Sequence, residues 1–148
     1  MEEKFMEIAI KEAMKALKCG EIPVGAVIVY NGKVIAKAYN KKEKNNNSLM
    51  HAEIIAINKA CKKLKDWRLN ECSMYITMEP CYMCMGAIVE SRISFVCCGI
   101  ENTRSHEINK KIIEREKINF KCNILSSKIE DIINNFFKNI RENKNKCS

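Results

Sequence analysis

Residues 73–85 read SMYITMEPCYMCM. Ser73 to Met78 has the apolar and β-branched content of a buried strand. Glu79-Pro80 stops it, because proline cannot donate to a central ladder. Cys81 then opens a helix running to about Glu90, and Pro80 fixes the entry. Two Cys three positions apart share one side of a helical turn, so the sulfurs of Cys81 and Cys84 can face one ion. The positive helix end is expected to stabilise both thiolates. A strand that hands over to a helix start in this way is an α/β unit, and its reactive groups sit at the joint.

A second joint lies upstream, at His51-Ala52-Glu53. Residues 48–64 follow helical spacing, with Ile54, Ile55, Ile57, Ala60 and Cys61 on the expected buried side and His51 and Glu53 in the first turn. A lone His at a helix start is commonly structural, but the paired Cys downstream changes the reading. One imidazole and two thiolates give three protein ligands and leave the fourth tetrahedral position open, which separates a catalytic zinc from a structural one. Glu53 is surplus to ligation and free to move protons. A structural zinc would need a fourth side chain. Cys61, Cys72 and Cys97 are available, and none has motif spacing to the others.

The remaining chain supplies a framework. Residues 4–18 place Phe5, Ile8, Ala9, Ala13, Ala16 and Leu17 at helical spacing, and Cys19-Gly20 ends that helix. Val24 to Tyr30 and Lys33 to Tyr39 flank Asn31-Gly32, a strong hairpin signal. Asn40 follows the second strand. Residues 41–47 (KKEKNNN) read as a solvated loop. Trp67 reads as a core anchor in a connector. Residues 93–100 (ISFVCCGI) read as a buried strand. Adjacent Cys97 and Cys98 then face opposite ways as small core thiols. A helix over residues 107–116, a short strand over 119–125 and an amphipathic helix over 128–142 complete the chain, with 143–148 a frayed basic tail. Alternating strands and helices predict a three-layer α/β/α sandwich.

The chain has 148 residues, 47% of them hydrophobic, which suits a single domain spanning 1–148. No apolar run is long enough for a membrane span. The acidic start, Met1-Glu2-Glu3-Lys4, lacks a signal-peptide charge pattern, so a cytoplasmic location is expected. Nine Cys at irregular spacings read, in a reducing compartment, as a metal pair plus buried thiols rather than a disulfide framework. A net charge of +8 favours a polyanionic partner.

The pattern H-x-E followed by P-C-x-x-C is that of the zinc nucleobase deaminases, with the Glu as general acid/base. The sequence resembles the cytidine deaminase-like superfamily, and within it the tRNA adenosine deaminases. The resemblance rests on residues 22–26 (IPVGA), Asn40, His51-Ala52-Glu53, residues 75–85 (YITMEPCYMCM), Ser91-Arg92-Ile93 and Phe136-Phe137, and it spans nearly the whole chain. It implies a central mixed five-stranded sheet flanked by helices. It also implies one Zn2+ per subunit on His51, Cys81 and Cys84, with Glu53 as the catalytic proton carrier. The implied reaction is hydrolytic conversion of adenosine to inosine at the wobble position of a tRNA anticodon loop, by a homodimer. Asn40, Val24, Ala52, Pro80, Phe136 and Phe137 are the implied substrate contacts, with one Phe in the core and one near the groove, and Lys138, Arg141, Lys144 and Lys146 could add phosphate contacts. One departure stands out. Relatives carry a Gly-rich loop after the fourth strand, whereas here no Gly follows Gly99, and residues 101–106 read ENTRSH. Two other readings share the metal residues: deamination of a free base or nucleoside, and a non-catalytic zinc- or RNA-binding subunit. Glu53 argues against the second.

Overall fold

The structure is a computed structural model. It describes the backbone of residues 1–146 and side chains through residue 143. A hairpin opens the sheet: β1 (Gly25–Tyr30) pairs antiparallel with β2 (Lys33–Tyr39). Asn31 and Gly32 take φ of 51° and 75°, as a tight hairpin turn requires. β3 (Cys72–Met78) pairs antiparallel with the other side of β1, and β4 (Phe95–Ile100) and β5 (Asn119–Lys121) extend the sheet in parallel. The order is β2-β1-β3-β4-β5, a mixed five-stranded sheet.

Strand alternation divides the apolar residues into two cores. Ala26, Ile28, Met74, Ile76, Val96 and Cys98 face α2 (Ala52–Leu64) and α3 (Tyr82–Glu90), with α4 (His106–Glu116) adding Ile112 and Ile113. Val27, Val29, Tyr75 and Cys97 face α1 (Glu2–Lys18) and α5 (Ser126–Lys146) through Phe5, Met6, Ile129 and Ile133. The result is the three-layer α/β/α sandwich. α1 lies so close to the sheet that a Cβ on Gly25 would meet the Ala13 backbone nitrogen at 2.6 Å.

Topology places the reactive joints. Because β1 opposes both β2 and β3, strands β2, β3 and β4 all end at one edge of the sheet. α2, α3 and α4 all begin there. Ligand sites of open α/β sheets form beyond the carboxyl ends of such strands.

The structure departs from expectation at several places. α2 starts at Ala52 rather than residue 48, because the Asn40 side chain accepts the Ala52 N–H at 2.7 Å and ends the preceding turn. The buried side of α2 is Ala52, Glu53, Ala56, Ile57 and Ala60, leaving Ile54, Ile55 and Cys61 half-buried. Trp67 is no core anchor: it is 52% exposed, with the Arg68 guanidinium 4.5 Å from its ring centroid and that of Arg92 at 5.8 Å. β4 begins at Phe95, and β5 keeps only three residues. α5 runs from Ser126 to Lys146, so the expected frayed tail is helical to that point. Residues 147 and 148, and the side chains of Lys144 and Lys146, lie outside the described residues. Cys98 is not a free thiol, being paired with Cys122 as a disulfide, while Cys97 stays free on the opposite face.

Candidate active site

Each joint owes its shape to an unpaired helix N–H. The first turns of α2 and α3 carry N–H groups with no partner inside the helix. Asn40 Oδ1 accepts the Ala52 N–H, and Ser105 Oγ accepts the Tyr82 N–H at 3.2 Å. His51 and Cys81 are the residues just before the two helices. Both are extended (φ −75°, ψ 152° and φ −66°, ψ 166°), which swings their side chains clear of the helix axes and toward each other.

The imidazole and thiols converge. His51 Nδ1 is 3.7 Å from Cys81 Sγ and 3.5 Å from Cys84 Sγ, and the three donor atoms all lie within 4.8 Å of one another. A tetrahedral zinc, with Zn–S of about 2.3 Å and Zn–N of about 2.0–2.1 Å, sets its N and S ligand atoms about 3.6 Å apart. The donor set therefore fits zinc in chemistry and in spacing. No fourth His, Cys, Asp or Glu joins the cluster among the described residues. Cys61, Cys72 and Cys97 are free and elsewhere.

Protonation at this site follows from burial and close contact. Cys81 is drawn down to about 4 by the hydrogen bond from the Cys84 thiol and then by His51. Cys84 goes the other way, raised by that same contact with Cys81 and by burial. The helix start thus favours one thiolate, not both, until a metal replaces the shared proton. His51 is raised, chiefly by its hydrogen bond with Cys81. Glu53, 3% exposed, is pushed up to about 7, first by burial. Its Oε1 is buried without a hydrogen-bond partner, an unusual and costly state for a carboxylate.

A cavity of about 810 Å³ opens over these groups. Among the expected substrate contacts, Val24, Asn40 and Phe137 line it together with His51, Glu53 and Cys81. Ala52, Pro80 and Phe136 do not. Ala52 is buried under the Asn40 cap, Pro80 is buried with its carbonyl accepting from Asn109 Nδ2 at 2.7 Å, and Phe136 is 6% exposed. At helical spacing one Phe of a neighbouring pair turns inward. Phe137, 45% exposed, meets the Phe136 ring edge-on at 5.4 Å and reaches the cavity. The Gly-poor segment 101–105 takes no residue into positive φ. It carries Asn102, Arg104 and Ser105 to the cavity wall without needing glycine.

Sequence reasoning missed a buried group in this wall. Glu79 is 2% exposed, and its carboxylate accepts from His106 Nδ1 at 2.9 Å, Asn109 Nδ2 at 2.9 Å and the Asn102 N–H at 3.3 Å. Its position next to Pro80-Cys81 was the available signal, but its partners are distant in sequence.

Fold and site together define a protein of the cytidine deaminase-like class. The MafB19-like deaminase family matches residues 1–141. The tRNA-specific adenosine deaminase of Bacillus subtilis (strain 168) is 38% identical over 149 residues, covering 97% of this chain and 92% of that protein. The chain belongs to the tRNA-specific adenosine deaminase family of these enzymes. A structure solved in a study of A-to-I editing by tRNA:A34 deaminases at the wobble position of transfer RNA superimposes with a TM-score of 0.81 at 32% identity, over 87% of this chain and 98% of that one. Guanine deaminase from Bacillus subtilis superimposes with a TM-score of 0.65 at 38% identity, over 76% of this chain and 74% of that one.

Proposed function

We propose that this protein is a zinc-dependent hydrolase that converts adenosine to inosine at the wobble position of a tRNA anticodon. The observation that carries the reading is Glu53. It is a buried carboxylate with an unpartnered oxygen, facing a cavity beside a three-donor His51/Cys81/Cys84 set. A binding-only subunit has no use for such a group, and burying it is costly.

His51, Cys81 and Cys84 hold one zinc per subunit. When bound there, the metal acts as a Lewis acid that lowers the pKa of water. Glu53 takes the proton of the attacking water and gives it to the purine ring nitrogen beside C6. The C6–O bond forms, the C6–N bond breaks, and ammonia leaves with the second proton that Glu53 relays. A carboxyl poised near neutrality suits both halves of that relay.

Asn40 orients the base. Its Oδ1 is taken by the Ala52 N–H, so its Nδ2 is the end left to donate to a purine acceptor. Val24 supplies an apolar wall, and Phe137 supplies a ring at the mouth for a base turned out of its loop. Lys138 and Arg141, on the exposed side of α5, supply further positive charge for the RNA backbone.

The protein works in the cytoplasm as a homodimer, whose second copy covers Leu49 and Tyr82. These are 53% and 45% exposed at the cavity rim, as apolar interface residues are before assembly. Among the described residues no helix is long and apolar enough to cross a membrane.

The likeness to a guanine deaminase favours one competing reading, turnover of a free base. The deciding experiment compares an anticodon stem-loop with free adenosine, guanine and cytidine, using mass spectrometry to find inosine. Inosine at the wobble position is the expected result. Turnover of the small molecules alone overturns the proposal.

A further inference from the structure

Two loops form opposite walls of the cavity, and each carries one cation to it: Lys42 from the segment after β2, and Arg104 from the segment after β4. In the sheet those strands are separated by β1 and β3. Neither cation has an ion-pair partner among the described residues. Both side chains are exposed.

Each loop is tied to a buried carboxylate. Glu21, 2% exposed, accepts the Glu43 N–H at 2.7 and 3.0 Å and the Lys44 N–H at 3.3 Å. The turn it holds is closed by Asn45 N–H to Lys41 O and Asn47 N–H to Lys42 O, both at 3.0 Å. Glu79 plays the matching part on the other side. It accepts the Asn102 N–H, and Asn102 O in turn accepts the N–H groups of Ser105 and His106 at 3.1 and 2.9 Å. Neither Glu faces a Lys or Arg among the described residues. Their main partners are backbone or neutral amide N–H groups and one imidazole. A carboxylate buried this way is expensive unless it is fully hydrogen-bonded, and a solvated loop needs no such anchor.

We propose that Glu21 and Glu79 are positioning residues that clamp the two rim loops, so that Lys42 and Arg104 stand ready for the phosphates flanking a turned-out nucleotide. The inference rests on the polynucleotide reading above and deepens it: a free base offers no phosphate to either cation. The clamps act through the loops: Glu79 borders the cavity, but its oxygens are engaged by Asn102, His106 and Asn109. They therefore govern substrate affinity rather than the chemical step.

The test uses the zinc-loaded full chain with E21Q, E79Q, K42A and R104A. Backbone hydrogen exchange is read alongside steady-state kinetics on an anticodon stem-loop and metal analysis. E21Q is expected to speed exchange over residues 42–45, and E79Q over residues 102–106, each sparing the other loop. Both should raise KM about tenfold, with kcat changed less than about threefold, since small misplacement of binding groups is costly. Zinc content should match the unsubstituted protein. K42A and R104A should each lower the slope of log affinity against log salt by about one. If E79Q folds poorly, H106A removes a donor to the same carboxylate from a half-buried position and is expected to give the same signature. Unchanged exchange in both loops overturns the proposal. So does a loss of zinc and kcat with KM intact, because the carboxylates would then serve the metal turn. Should the unsubstituted protein act only on free bases, the polynucleotide reading fails, while the exchange data still decide whether the clamps exist.

Discussion

Replacing Glu53 with Gln should push activity and stability in opposite directions. The substitution keeps the side-chain shape and removes the charge and the proton-carrying oxygen. Loss of a positioned acid–base group costs about 10²–10⁴ in rate, which is about 3–5 kcal/mol of barrier. Stability should move the other way in the metal-free protein. Burial pushes the Glu53 carboxyl from 4.5 up to about 7, and each pKa unit is worth about 1.4 kcal/mol. The sign follows from linkage. Below pH 4.5 the carboxyl is protonated in both folded and unfolded chains and contributes nothing. Above pH 7 it is ionised in both, and the folded state carries the full cost of about 3 kcal/mol. Gln has no such cost at any pH. The stability advantage of E53Q over the unsubstituted protein should therefore grow by about 2.5 kcal/mol between pH 5 and pH 8.5. Urea denaturation of both metal-free proteins at these pH values measures it, and stopped assays with the zinc-loaded forms measure kcat. Parallel stability curves across pH would refute the buried-charge argument. A zinc-loaded E53Q within tenfold of normal kcat would refute the proton relay.

Chelation of the metal should abolish turnover and lower the melting temperature, with zinc restoring both, because binding to three converging ligands is coupled to folding; a chelated protein that stays active would exclude the metal role of His51, Cys81 and Cys84. The two neighbouring phenylalanines should separate cleanly: Phe136→Ala removes a buried ring and costs about 3–4 kcal/mol of stability, whereas Phe137→Ala leaves the melt nearly unchanged and weakens RNA binding by about 1–3 kcal/mol, as thermal scans and titrations will read. Gly25→Ala should destabilise by more than about 2 kcal/mol, because its Cβ has no room beside the α1 backbone; circular dichroism melts check it. In the zinc-loaded protein, where the metal would occupy Cys81 and Cys84, iodoacetamide at pH 7.5 should label exposed Cys19 first and leave Cys97 unmodified, since burial pushes the Cys97 thiol up to about 11; peptide mapping showing early labelling at Cys97 would contradict the packing of β4.

What the sequence discloses depends on how far apart the cooperating residues lie. The hairpin needs only Asn31-Gly32 and its flanks, and the metal turn needs only Pro80 to Cys84. Both are local patterns whose physics acts within one turn, so residues and geometry correspond directly. The pairing of His51 with the two thiols was legible for a different reason: zinc chemistry restricts which residue types can complement a C-x-x-C turn. Trp67 misled because aromatic residues are large and usually buried. Here it serves as a flat surface for Arg68 and Arg92 on a connector. Cys98 misled because nothing in its spacing points to Cys122; only the parallel pairing of β4 with β5 brings them together. Glu21 and Glu79 were invisible for the same reason. In a chain with 18 Asp and Glu, one more carboxylate carries no mark of burial until its donors arrive from the far side of the fold.

The placement of His51, Cys81 and Cys84 has a consequence for what the fold must hold rigid. His51 stands just before α2, and the thiols stand at the start of α3, so their spacing is set by the sheet rather than by either helix. β1 mediates it: its antiparallel partner β3 runs directly into the Cys81 segment, its other partner β2 leads through the 40–50 loop to His51, and the Gly25 N–H is pinned to Thr77 Oγ1 at 3.1 Å. The helix-end caps then act in cross-linked fashion. Asn40 leaves β2 to cap α2, while Ser105, from beyond β4, caps α3. Two residues that line the cavity thereby also fix the helix starts that position His51 and the two thiols. A base that displaced Asn40 from Ala52 would disturb the His51 end of the site. Recognition through Nδ2, with Oδ1 left in place, is therefore the way Asn40 could contact a base without moving His51.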